Sequence, residues 1–247
     1  MHGLVTQVEQ LTPTLIRIVL GEGDLDGFAV PVVEPWGLPA TDAYVNLAFR
    51  PAGAPYPEVF APREVAKEHP DHKPVRRRYS VRDWDADARL LTLDFVVHGD
   101  SGVAGPWAAR AQVGDLLVFE GPGAGYCPDP EADWHLLIGD ESAVPAIALS
   151  LEAMAPEASG VALLVCDGPE HELALTAPDG VQVTWMHRPA SLVDALVAAD
   201  LPSGRAHAFV HGEAEEIREV RKHLLVEARP DAWGHVLLAL LAAHDGR

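Results

Sequence analysis

The feature that most constrains how this chain folds is a change of pattern near Asp133. Before it, from Gly3 to about Gly123, apolar segments are short, alternate with polar residues and are divided by Gly and Pro. Such segments pack on one face and are joined by turns. The pattern predicts strands over 4–10, 15–20, 44–49, 78–83, 91–98 and 115–120, with one helix near 107–111. Six strands in succession with a single helix predict an antiparallel barrel. Two Pro-rich loops, 28–42 and 51–74, interrupt it, and loops of that length inside a compact domain are functional or mobile.

After Asp133 the apolar runs lengthen and alternate with helical patterns. Strands are predicted over 134–138, 161–166, 181–186 and 207–211, and helices over 145–154, 192–199 and 214–228. Runs apolar throughout belong to strands buried on both faces. The result is an α/β open sheet, which takes ligands outside the carboxyl ends of its strands. The Gly-, Pro- and Asp-rich stretch 122–133 separates the two patterns. The expected organisation is a barrel domain over 1–123, a linker over 124–132 and an α/β domain over 133–247. A length of 247 residues suits two such domains, and no internal repeat is present.

Composition narrows the function. With 48% hydrophobic and 22% charged residues the chain can bury a core. Its 37 acidic residues outnumber 18 Lys and Arg, for a net charge of −19. That opposes nonspecific nucleic-acid binding and attraction to anionic membrane surfaces, both of which need cationic faces. Cys127 and Cys166 form no CxxC pair, so a reducing interior is the default. The first twenty residues lack a basic stretch before an apolar run, as a signal peptide would have. The most apolar stretch, 236–243, is too short to span a bilayer. A cytoplasmic protein, monomeric or weakly dimeric, is expected.

Three segments carry chemistry. In Arg77-Arg78-Tyr79-Ser80-Val81-Arg82, strand alternation puts Arg77 and Tyr79 on one face and Arg78, Ser80 and Arg82 on the other. A guanidinium grips phosphate, and a tyrosine ring lies against a planar heterocycle. Charge protecting an edge strand is the alternative. Next, Asp94-Phe95-Val96-Val97-His98-Gly99 runs into Asp100-Ser101-Gly102-Val103-Ala104-Gly105-Pro106-Trp107-Ala108. Its glycines permit close backbone approach, and its proline starts a helix whose N–H groups can meet a pyrophosphate. Alone, such a turn is equally a plain connection. Third, Gly139-Asp140-Glu141-Ser142-Ala143-Val144-Pro145 follows the first α/β strand, at a dinucleotide-binding position, yet is not GxGxxG. Its two acids sit awkwardly against a pyrophosphate, and capping the helix is their other role.

Together these segments resemble the siderophore-interacting protein family of flavin-dependent ferric-siderophore reductases. The resemblance runs through Arg77-x-Tyr79-Ser80-x-Arg82, Asp94 to Gly99, Gly105-Pro106-x-Ala108, Gly114-Asp115 and Gly121-Pro122. It continues through Trp134 to Ile147, Val183-x-Trp185-x-His187-Arg188 and Gly212-Glu213-Ala214. It implies a ferredoxin-reductase-like pair: an FAD-binding antiparallel β-barrel followed by a nicotinamide-binding α/β open sheet. Carried over, Arg77, Tyr79 and Ser80 hold the flavin and its ribityl phosphate. Asp94, Val96, Val97, His98, Gly99, Gly102, Gly105, Pro106, Trp107 and Ala108 belong to the strand and turn that hold the diphosphate and adenosine. Gly139, Asp140, Glu141, Ser142 and Ala143 line the nicotinamide-dinucleotide cleft. The implied reaction is NAD(P)H-driven reduction of a ferric siderophore, with the flavin doing the chemistry and no side chain acting as acid, base or nucleophile.

The anionic substrate, a hydroxamate or catecholate chelate, needs a cationic partner. Residues 63–82 hold seven cationic residues, among them Arg63, Lys67, Lys73 and Arg76, against three acidic ones. This island can steer an anion, or it is a solvated loop with ordinary charges. The second nucleotide-domain strand ends in Cys166-Asp167-Gly168-Pro169-Glu170, with acids where a 2′-phosphate needs a cation, which favours NADH over NADPH. Arg188, after the next strand, can reverse that preference. Twelve histidines raise the question of a metal, but only His69-x-x-His72 is close-spaced and no cluster completes a site.

Two departures concern the substrate. Family members often carry a lysine where this chain has Asn46, and a closing Gly-Tyr-Trp-Arg element where it has Asp231-Ala232-Trp233-Gly234. Trp233 partly replaces that aromatic pair as a substrate contact, and the apolar tail after it allows a helix in place of a strand. Alternatives to the siderophore reductase are a flavin reductase serving a protein or quinone acceptor, and a non-catalytic siderophore-binding module.

Overall fold

A computed structural model describes residues 1–99, 102–224 and 237–240. Contacts divide the chain into two compact units, one of residues 1–31 and 43–124, the other of residues 32–42 and 125–247.

The first unit is a closed six-stranded barrel of β1 (His2–Thr12), β2 (Leu15–Asp24), β5 (Tyr44–Phe49), β6 (Val75–Asp85), β7 (Leu90–Val96) and β8 (Leu116–Gly123). Its order is β1-β2-β7-β6-β5-β8 and every pairing is antiparallel. Alternation sets the interior: Leu91, Leu93 and Phe95 of β7 are fully buried, as are Val45 and Leu47 of β5 and Ile18 and Leu20 of β2. Helix α2 (Ala104–Ala108) adds Ala104 and Ala108 to the same core. The expected loop 51–74 contains a helix, α1 (Pro62–Glu68), started by its proline and packed with Ala54, Tyr56 and Phe60 into a small core of its own. The other expected loop holds a two-stranded hairpin, β3 (Val32–Val33) with β4 (Leu38–Pro39).

The second unit is a parallel sheet with order β11-β10-β9-β12-β13. Its elements run β9 (Trp134–Asp140), α3 (Val144–Ala153), β10 (Ser159–Cys166), β11 (Gly180–His187), α4 (Leu192–Ala198), β12 (Ala206–His211), α5 (Ala214–Lys222) and β13 (Leu237–Leu240). All seven residues of β9 are buried. On one face Leu136 and Ile138 pack against α4 and α5 through Leu192, Leu196, Ile217 and Val220. On the other Leu137 meets Val144, Ile147 and Leu151 of α3. Ser191 caps α4 and Glu213 caps α5, each accepting two backbone N–H groups.

Two expectations change. The tail 237–240 is a strand, not a helix, pairing in parallel with β12 from His207–Leu237 to Val210–Leu240. The open edge of β12 offers unpaired backbone groups that only another strand can satisfy in register. The stretch 124–132 is not an open linker: from Gly125 on it belongs to the second unit. Gly125 and Tyr126 donate backbone N–H groups to the Asp42 carboxylate, and Asp129 is buried against Arg205.

Across the β2–β7 pairing, Arg17 donates two hydrogen bonds to Asp94, at 2.7 and 2.8 Å, and the Asp94 side chain is wholly buried. Arg17→Met leaves that carboxylate buried without its cation and should destabilise the protein by about 3–5 kcal/mol in urea unfolding. Arg17→Met combined with Asp94→Leu should recover most of the loss. A double variant as unstable as the single would mean that the pair is not what holds these strands.

Candidate functional site

On the barrel unit, β6 and the turn after β7 gather most of the residues expected to hold a flavin. Val81 points into the barrel, so alternation turns Tyr79 and Arg77 toward the same side, near its end. The Tyr79 ring packs on Phe95 with centroids 4.3 Å apart, Phe95 meets Trp107 of α2 at 5.6 Å, and Trp107 meets Phe49 at 5.8 Å. Burial pushes the Tyr79 phenol up to about 12, against the opposing pull of the Arg77 charge. Its hydroxyl therefore remains a neutral donor at physiological pH. On the opposite face Ser80 lies beside Tyr44, and the Arg78 guanidinium stacks 4.1 Å over the Tyr44 ring.

Beyond β7 the backbone is open at Gly99 and Gly102. Gly99 and Gly102 have φ of +56° and +79°, and a Cβ added to either would meet nothing within 4 Å. Only glycine adopts these angles without strain, and the empty space beside them lets a ligand approach the backbone. Val97 is fixed by donating its N–H to Thr14, and Gly105 packs loosely on Val96 and Val97. Val96 ends β7, His98 follows exposed at the start of the turn, Pro106 lies within α2, and Ala108 is buried. Asp94 is committed to Arg17. Asp100 and Ser101, within the expected turn, and Trp233 lie outside the described residues. Val103 and Trp107 also border an open cleft of about 550 Å³, whose other walls include Phe49, Arg50, Phe60 and Arg110. Sequence reasoning missed this cleft, because the 51–74 segment carries no periodic pattern to place Phe60 against a strand end.

The cationic segment is folded on the same unit. Arg50 donates to the carbonyls of Ala54 and Tyr56, and the Tyr56 hydroxyl donates to the carbonyl of His72. Arg63 and Arg76 both pair with Glu120 on β8, whereas Lys67 and Lys73 are exposed. Asn46 sits between Arg78 and Glu120 in the β6-β5-β8 register.

On the second unit, the carboxyl ends of β9, β10 and β11 carry a different arrangement. Glu141, buried just beyond β9, accepts two hydrogen bonds from Arg188 at 3.0 and 2.9 Å. Arg188 also donates to Asp167, just beyond β10, at 2.9 Å. The bonds to Glu141 chiefly raise the arginine pKa above its ordinary value, so the cation is permanent and neutralised in place. Asp140 accepts from Ser142 N–H and Oγ–H and from Glu213 N–H, while Ala143 N–H donates to the Asp140 carbonyl. Gly139 is glycine because Ala143 Cβ and the His211 carbonyl fill the space beside it. The residues from Gly139 to Ala143 thus frame the sheet end and satisfy one another.

At the other end of the sheet, His135 and His207 are buried register partners on β9 and β12. Asp129 donates its N–H to His207 Nδ1 at 3.0 Å, and the Tyr126 ring stacks on His207 at 4.8 Å. Among the described residues no three His, Cys, Asp or Glu side chains are grouped to hold a metal ion.

The siderophore-interacting FAD-binding domain profile matches residues 4–126, and the siderophore-interacting protein profile matches residues 132–232. The chain is 40% identical to an uncharacterized protein of Mycobacterium tuberculosis, over 92% of this chain and 84% of that one. It is 40% identical to the ferric vibriobactin reductase ViuB of Vibrio cholerae over 65% of this chain and 62% of that one. To the NADPH-dependent ferric-chelate reductase of Escherichia coli it is 29% identical, over 90% and 85% of the two chains. The crystal structure of a siderophore utilization protein from T. fusca superposes with a TM-score of 0.77 at 33% identity, covering 94% of this chain and 89% of that one. The fold is that of the ferredoxin-reductase-like FAD- and NAD-binding proteins. The chain belongs to the siderophore-interacting protein family, and its first unit is an FAD-binding domain.

Burial lowers the pKa of His207 from 6.5 to about 4, with His135 adding to the shift, and burial lowers His135 as well. A depressed histidine pKa means that the unfolded chain binds more protons between pH 6.5 and 4. Stability is therefore full above pH 6.5 and falls as the pH drops toward 4, by about 3 kcal/mol for His207. Urea unfolding of wild type and His207→Asn should show their stability difference constant above pH 7 and shrinking below pH 6. A difference independent of pH would show that His207 does not titrate on unfolding.

Proposed function

We propose that this protein is an FAD-dependent reductase that uses NADH to reduce ferric siderophores and release iron(II). The observation that carries the reading is the pairing of Arg77 and Tyr79 at the end of the barrel with the open, left-handed Gly99 and Gly102 turn. These residues fit the cofactor. Tyr79 offers a ring and a neutral hydroxyl to the flavin, and Arg77 a fork to the nearer phosphate. The bared backbone at Gly99 and Gly102 offers N–H donors to the diphosphate. The cleft beside Val103 and Trp107 has the size and mixed polarity to take the adenosine.

When bound, FAD supplies the exchange between a donor of two electrons and an acceptor of one, which iron(III) requires. The chain's part is to hold and orient. Aromatic packing behind Tyr79 fixes the ring that would hold the flavin, and Lys67 and Lys73 would give an anionic oxygen chelate a cationic approach. Hydroxamates and catecholates, hard ligands matched to iron(III), fit that approach. Reduction to iron(II) weakens the match and loosens the complex.

NADH is the proposed donor because the end of the second strand presents Asp167, and the nearest cation, Arg188, is already neutralised by Glu141 and Asp167. Among the described residues a 2′-phosphate finds no free positive partner there. The proposed place of action is the cytoplasm, and among the described residues no helix is long and apolar enough to cross a membrane.

The purified protein should be yellow, and its flavin bands should bleach anaerobically with NADH faster than with NADPH. The reduced protein should reoxidise with ferric hydroxamate or catecholate faster than with quinone. Bands that persist with both nucleotides would overturn the reductase reading, and preference for quinone would redirect it to another acceptor. Arg77→Ala should weaken flavin retention by about 1.5–3 kcal/mol, the contribution of a charge-assisted phosphate contact, as read by equilibrium dialysis. Unchanged retention would remove Arg77 from the site.

A further inference from the structure

In an open parallel sheet a ligand lies outside the carboxyl ends of the strands, at the point where the strand order reverses. Here that point falls between β9 and β12. A dinucleotide bound there ordinarily rests its diphosphate on the N–H groups that open the helix after the first strand, and glycines let the phosphates approach. In this protein the turn that leads into that helix is held by the chain itself.

The Asp140 carboxylate holds the opening with both oxygens. Oδ1 accepts from Ser142 N–H at 2.8 Å and Ser142 Oγ–H at 2.6 Å, and Oδ2 accepts from Glu213 N–H, just past β12, at 2.8 Å. Ala143 N–H is taken by the Asp140 carbonyl at 2.9 Å, and Pro145 has no N–H to give. The two glycines of the crevice make room for protein, not for ligand. A Cβ on Gly139 would meet Ala143 Cβ at 2.4 Å, and one on Gly212 would meet Asp140 Oδ2 at 2.9 Å. The contrast with Gly99 and Gly102 on the barrel unit, beside which nothing lies within 4 Å, separates a closed turn from an open one. Charge acts in the same direction. Besides Asp140, the strand ends carry Glu141, Asp167 and Arg188, the arginine bonded to both acids, so a diphosphate meets a negative surface.

We infer that Asp140 occupies the place of the electron donor's diphosphate, so that the donor is held by its nicotinamide and adenosine ends and not by the turn after β9. This rests on the reading of a nicotinamide dinucleotide as donor. It makes Asp140 the residue that sets the protein's affinity for that donor. A smaller, neutral side chain there returns the N–H groups of Ser142 and Glu213 to a bound anion.

The test is calorimetric titration of the FAD-loaded protein with ADP-ribose, which carries the diphosphate but no nicotinamide, and with adenosine. Wild type should bind ADP-ribose no more than threefold tighter than adenosine, or show no measurable binding of either. Asp140→Ser should bind ADP-ribose about tenfold tighter than wild type, the gain of one charge-assisted hydrogen bond, with adenosine unchanged. A wild-type preference for ADP-ribose beyond threefold would overturn the inference, as would an Asp140→Ser protein that binds it equally or more weakly. Should Asp140→Ser fail to fold, Asp140→Asn and the wild-type comparison decide it. Anaerobic reduction of the flavin by NADH, run alongside, fails only if the donor reading is wrong, which the ADP-ribose arms do not depend on.

Discussion

Complete burial of one strand organises the second unit. All seven residues of β9 are buried, with paired backbone on both sides and helices over both faces. A strand so enclosed can shift neither register nor twist without exposing backbone or opening the core, so its end is fixed in space. Asp140 and Glu141 stand at that end. Their hydrogen bonds to Glu213 beyond β12 and to Arg188 beyond β11 inherit the rigidity of the strand. The barrel obtains the same effect by closure, which leaves no edge free to move and holds Tyr79 and Phe95 ring to ring.

A second theme is the scarcity of uncommitted cations. Eighteen Lys and Arg face thirty-seven acids, and the structure pairs several of those cations internally. Arg17 goes to Asp94, Arg63 and Arg76 to Glu120, Arg188 to Glu141 and Asp167, and Arg205 to Asp129. In such a chain a basic residue in sequence is a weak sign of a ligand. What distinguishes Lys67 and Lys73 is their exposure on a separately packed segment.

The architecture was legible in the sequence because it rests on local periodicity. Alternation located all six barrel strands, and the apolar runs located β9 to β12 within a few residues. The turn at Gly99 and Gly102 was legible for the same reason, since glycine's freedom there is a local property. What escaped depends on pairings distant in sequence. Asp94 finds Arg17 across 77 positions, Glu141 finds Arg188 across 47, and Arg76 finds Glu120 across 44. Nothing in a window of residues reports such partners. The acids at 140 and 141 have distant partners of this kind, Glu213 and Arg188, and these bonds tie down the strand end. The strand at 237–240 escaped likewise, because an apolar run that short becomes a strand only where a neighbour offers an edge.

The excursion of residues 32–42 has a consequence for how the polypeptide can be dissected. These residues leave the barrel's stretch of sequence, join the α/β unit through Thr41 on Ser150 and Trp36 on His207, and return. The main chain therefore passes from one unit to the other three times, near 31, 42 and 124. No single cut yields both units whole. A fragment starting at residue 125 lacks the hydroxyl partner of Ser150 and the Asp42 carboxylate that receives the N–H groups of Gly125 and Tyr126. Gene fusions or shuffled chimaeras made at the obvious interdomain junction would inherit that defect, and a functional swap must carry the small hairpin along with the sheet.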